Sequence, residues 1–163
     1  MTNAMSEVVS PVDVPIAQVF FCDDVRHEVT GKVTLVGVYN HTMFVSIGGG
    51  HVPKLVAFLS FIYPLSMAGQ TAEVTLLDRG NIMLCTQLPL PAPVAPAKIR
   101  DDQPPERFGA FNAPIELIGF APVNGMQLRV TLSVGAAYKY ESYSMRVVAP
   151  DPLDKPEPLP VPS

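Results

Sequence analysis

Charge is scarce in this chain. Of its 163 residues, 11 are Lys or Arg and 15 are Asp or Glu, 16% in all, and the basic ones form no run. A formal charge of -4 and a pI near 5.2 supply no cationic surface for phosphates. A nucleic-acid partner is therefore not expected. The N-terminal Met1–Val14 has no basic segment leading into an apolar one, so no export signal is read and a cytoplasmic location is expected. Long apolar runs are missing too. Leu55–Ala72 carries no charge, but Pro64 interrupts it and it falls short of the ~20 residues of a spanning helix. No membrane segment is expected, and a buried strand accounts for it better.

The usual marks of catalysis are also absent. The two cysteines, Cys22 and Cys85, form no Cys-x-x-Cys pair, and His27, His41 and His51 show no His-x-x-x-His spacing. A zinc site drawn from Cys22, His27 and one of the other histidines lacks ligand spacing, so neither metal nor any other cofactor is expected. Each cysteine lies in an apolar run, where a reduced thiol behaves as a small hydrophobe. Ser46 and Ser60 have no Gly-x-Ser-x-Gly setting. Gly48-Gly49-Gly50 is followed by neither Lys-Ser/Thr nor a helical pattern, which excludes a phosphate loop.

Proline is abundant. Eighteen are present, six of them in Pro89–Pro105 and six in Pro150–Pro162. Each one inside a helix would cost about 3 kcal/mol, which excludes a helical protein of this size. What the chain offers instead is period-two alternation punctuated by turns. Strands are predicted at Ile16–Cys22, Lys32–Asn40, Thr42–Ile47, Lys54–Tyr63, Gln70–Leu77, Ile82–Leu88, Ile115–Phe120, Met126–Val134 and Ala137–Val148. Lys54–Tyr63 is apolar on both faces and is placed mid-sheet. Asp78-Arg79-Gly80-Asn81 and Asn124-Gly125 read as hairpin turns. The alternation gives a single antiparallel β-sandwich of about eight strands, Ig-like or C2-like in layout, over residues 16–148. A flexible lead-in (1–15) precedes it, and a disordered Pro-rich tail (149–163) follows. Pro89–Pro105 is expected to be a stiff surface connection or a partner-binding segment.

The one dense polar cluster is the elbow Asp23, Asp24, Arg26, His27 and Glu28. On a continuous strand Asp23 and Asp24 point apart, which is a poor basis for a paired-carboxylate site. A local ion pair of Arg26 with Asp24 or Glu28, and a turn-capping role for an Asp, are the expectation. A second candidate lies in the closing strand. If Tyr143 and Met145 face the core, alternation turns Tyr138 and Tyr140 outward as a contact surface.

The opening motif Phe21-Cys22-Asp23-Asp24-x-Arg26-x-Glu28-x-x-Gly31-Lys32-x-x-Leu35-x-Gly37-x-Tyr39 resembles that of a family of small bacterial all-β proteins known only as a domain of unknown function. The likeness continues through Val74-x-Leu76-x-Asp78-x-Gly80 and a closing Gly125-x-x-x-x-Val130-x-x-x-Val134-Gly135. Gln127 and Leu128 stand where that family usually has an aromatic residue. The resemblance implies a cytoplasmic all-β fold and brings no catalytic residues with it. The expected function is a non-enzymatic interaction module presenting loops or a sheet edge to a protein partner. The alternative is a structural assembly protein, such as a phage or particle component, that associates with itself.

Overall fold

Strict alternation in 127–134 sends Leu128, Val130, Leu132 and Val134 to one face, and all four are fully buried. The same rule buries Ala72, Val74 and Leu76, as their period-two spacing requires. These residues belong to two neighbouring strands of one sheet, and the rest of the chain is arranged against them. The computed structural model describes residues 14–46, 50–92, 108–136 and 138–149. Most of the expected Pro-rich connection, nearly all of the lead-in and tail, and Gly48-Gly49 lie outside the described residues.

Eleven strands are present among the described residues, where about eight were expected: β1 (Ile16–Cys22), β2 (Asp24–His27), β3 (Val33–Val36), β4 (Thr42–Phe44), β5 (Val52–Pro64), β6 (Thr71–Asp78), β7 (Asn81–Pro89), β8 (Phe108–Phe120), β9 (Gln127–Val134), β10 (Tyr138–Glu141) and β11 (Met145–Val148). The protein is all-β, and among the described residues a 3-10 turn at Leu65–Met67 is the one helical element. One sheet has the order β1-β5-β8. The larger one runs β4-β11-β9-β6-β7, with β10 also on β9, and β2-β3 forms a separate ribbon. Pairing is antiparallel except for β11 with β4, which run parallel, so the larger sheet is mixed rather than purely antiparallel.

The core lies between the inner faces. Val19 and Phe21 of β1, Leu55, Leu59, Phe61 and Tyr63 of β5, and Ile115 of β8 meet Val74, Leu76, Val130, Leu132 and Met145 of the larger sheet. As predicted, β5 is central, and it buries Val56 and Phe58 on its other face as well. Truncating one of these core leucines would cost about 2–5 kcal/mol, a large part of a domain's stability. Pro114 sits within β8, and β8 is an edge strand there, where a missing N–H removes no second ladder bond.

Two turn expectations separate here. Asp78-Arg79-Gly80-Asn81 closes the β6–β7 hairpin with φ of 47° at Arg79 and 87° at Gly80, the double left-handed geometry that matches strand twist. Asn124-Gly125 is a tight turn, but it is not a hairpin. It carries the chain from β8 in one sheet to β9 in the other. The reason is competition for edges: β8 pairs along its whole length with β5, and β9 is taken by β6, β10 and β11. Asn124 Oδ1 instead accepts from the Ala149 N–H at 3.1 Å, fixing the end of β11.

Candidate functional site

The elbow begins where β1 bends at Asp23 into β2, which then pairs with β3 from Asp24↔Val36 to His27↔Val33. The expected second strand over 32–40 is therefore a four-residue strand followed by a kink. Gly37 forms that kink with φ of +66°, and a Cβ there would lie 1.9 Å from Asp23 Oδ2. The room it leaves lets the Tyr39 hydroxyl donate to Asp23 Oδ1, while the Tyr39 N–H donates to the Phe21 carbonyl at 2.8 Å. Burial, then the hydrogen bond to Asp23, pushes the Tyr39 phenol well above its usual range.

Asp24 points the other way, as strand parity predicted for the adjacent carboxylates. It binds Lys54 Nζ, and Arg26 Nε approaches its other oxygen at 3.5 Å. Lys54 also lies 3.6 Å from Glu116 Oε1. The hydrogen bond from Lys54 holds the Asp24 carboxyl below the usual range, and the reciprocal bond raises Lys54. Glu28 anchors the tip of the ribbon. Its side chain accepts from Thr34 Oγ1 at 2.5 Å, its N–H donates to the Lys32 carbonyl at 2.9 Å, and its carbonyl accepts from Gly31 N–H at 2.9 Å. His27 is exposed.

Four of the five elbow side chains are thus engaged in contacts that shape the ribbon, and Asp23 and Asp24 do not converge. Lys54, Glu116 and Tyr39 complete these contacts. The β1–β5 register, which sets Cys22 opposite Val56, is what brings Lys54 alongside Asp24. Cys22 is fully buried, and burial raises its thiol pKa. Among the described residues no three His, Cys, Asp or Glu side chains are grouped to hold a metal. Nor is any helix there long and apolar enough to cross a membrane.

The tyrosine surface needs correcting. Tyr138 stands opposite Val134 and Tyr140 opposite Leu132, both fully buried, so this pair faces inward. Tyr138 packs 5.5 Å from the Phe61 ring across the core, and both tyrosines are half-buried against it. Met145 and Val147 face inward too, because the strand is bulged between them. From Tyr140 to Met145 the chain takes five steps, while its partner takes four from Leu132 to Leu128. One extra residue reverses parity. Ser142 supports the bulge: its Oγ accepts from the Val130 N–H at 2.9 Å and donates to the Tyr143 carbonyl at 2.8 Å.

A surface the sequence reading did not single out lies on the outer face of β1-β5-β8. Register places Ile16, Ile62 and Ala110 in one row and Phe20, Phe58 and Pro114 in another, with Gln18, Ser60 and Asn112 between them. Ile16, Ile62 and Ile118 are 55%, 41% and 79% exposed. A sheet with one face on the core ordinarily carries polar residues outside, and the larger sheet does so at Glu73, Arg129, Thr131 and Lys139. Neither a family model, a curated protein nor a solved structure matches this chain.

Proposed function

We propose that this protein is a non-enzymatic binding module that takes a protein partner on the outer face of its three-stranded sheet. The observation that carries the reading is three large apolar side chains left exposed on that face, Ile16 beside Ile62 at one end and Ile118 beside Lys54 at the other. Several exposed isoleucines on one sheet face, unlike a single exposed residue, favour an interaction site. The elbow supports this indirectly, since its charges brace the β2-β3 ribbon beside that face through Asp24 and Lys54. The likeness to the uncharacterised bacterial family belongs to the same proposal, and its Asp23, Gly37 and Tyr39 are residues that set the shape of the elbow.

The test is affinity capture with the wild type, with Ile62→Lys combined with Ile118→Glu, and with Asp24→Ala combined with Arg26→Ala. A specific partner held by the wild type and by the elbow variant, but lost from the isoleucine variant, supports the reading. Capture that the isoleucine changes leave intact overturns it. A second reading, an assembly component built of identical copies, is favoured by the β7 edge, which among the described residues pairs with β6 alone; a discrete large oligomer in solution would select it.

A further inference from the structure

The larger sheet ends on β7, which among the described residues pairs only with β6. An edge strand presents a row of unpaired N–H and C=O groups, and stable monomers blunt such edges with charge, proline or shortness. The other edges carry these devices. β8 contains Pro114 and Glu116, β10 contains Lys139 and Glu141, and β3 and β4 have only four and three residues. β1 has part of its free side taken by Tyr39. β7 is nine residues long, with no charged side chain and no proline before its last position. Its one irregularity is the bulge beside Leu76/Leu77, near the hairpin turn, which leaves Leu84–Leu88 regular.

Within that regular stretch the side chains alternate about Thr86. Leu84, Thr86 and Leu88 point to the core side yet stay half-buried, while Cys85 and Gln87 are exposed. The leucines are half-covered because the sheet stops there. We propose that a second copy of this chain continues it: two β7 strands pair antiparallel about a twofold axis at Thr86. That register sets Leu84 against Leu88 of the second copy, Thr86 against Thr86, and Cys85 against Gln87. Apolar and Thr–Thr cross-strand pairs of this kind each add stability, and an uncharged strand offers no repulsion to its own copy. The contact is isologous and closes at two copies. It is independent of the partner proposed above, whose surface lies on the other sheet.

The experiment combines solution mass with thiol cross-linking. The wild type is expected to dimerise with rising concentration. A short bis-maleimide should then join Cys85 to Cys85, which this register places diagonally, about 7–8 Å apart; buried Cys22 stays unmodified. Cys85→Glu with Gln87→Glu should weaken the dimer about tenfold or more through like charges set opposite each other. Cys85→Lys with Gln87→Lys should do the same, and an equimolar mixture of the two variants should recover the dimer. That recovery also shows both variants to be folded. A wild type that stays monomeric at every concentration overturns the inference, and so does a dimer that either charge pair leaves unchanged. Ile118→Glu is expected to leave the dimer intact, separating this contact from the partner surface.

Discussion

Tyr39 reaches back across the kink at Gly37 to give its hydroxyl to Asp23, so the glycine and the carboxylate occupy space that a side chain on residue 37 would need. Gly37→Ala should therefore cost about 2 kcal/mol or more, combining left-handed backbone strain with a collision at Asp23. Tyr39→Phe removes only the hydrogen bond and should cost about 0.5–1.5 kcal/mol. Urea unfolding of both variants checks the order. If the tyrosine change proves the larger, the kink is not what shapes the elbow.

Ser142→Ala is expected to lower stability by about 1–3 kcal/mol, because it strips the buried Val130 N–H of its acceptor. Ser144 receives a longer bond from Arg129 Nε at 3.2 Å on a half-buried surface. Its alanine variant should fall within about 0.5 kcal/mol of the wild type. Thermal melts of the two single variants measure the contrast.

All five tyrosines should resist ionisation. Burial pushes Tyr39, Tyr63, Tyr138, Tyr140 and Tyr143 above their ordinary value. The fold favours the neutral phenol, so this stabilisation is fully present below the unfolded value of about 10 and is lost as pH rises through the folded values. Ultraviolet titration should show tyrosinate lagging behind a free-tyrosine control. A further rise should follow if the protein unfolds in strong alkali. An early-titrating tyrosine would mean that its ring is not packed as described.

The two thiols should separate cleanly in a labelling experiment. Cys85 is exposed on β7, whereas Cys22 is buried and its thiolate is disfavoured by that burial. A thiol reagent on the native protein should modify one group quickly and the second only on unfolding. Peptide mapping should place the fast site at Cys85.

The strands that alternate without interruption were legible in the sequence to within a residue or two, as β1, β6 and β9 are. Period-two burial is a local signal and needs no knowledge of partners. The assignment of strands to sheets was not local. Asn124-Gly125 has the chemistry of a hairpin turn, yet pairing elsewhere sends its two flanking strands to different sheets. The bulge was missed for a related reason. Nothing in Glu141-Ser142-Tyr143-Ser144 announces an extra residue until β9 is set beside it. In the elbow, the divergence of Asp23 from Asp24 followed from parity alone. Lys54 and Glu116, on other strands, became visible only with the fold.

The bulge makes the chain sensitive to length rather than to chemistry at this point. Deleting one amino acid between positions 141 and 145 would leave the aromatic and aliphatic side chains unaltered, yet would force either Tyr138 and Tyr140 or Met145 and Val147 toward water. Inserting two amino acids there would preserve the phase and only lengthen a surface kink. Odd changes in the count should thus be disruptive and even ones tolerated, whichever residues are used.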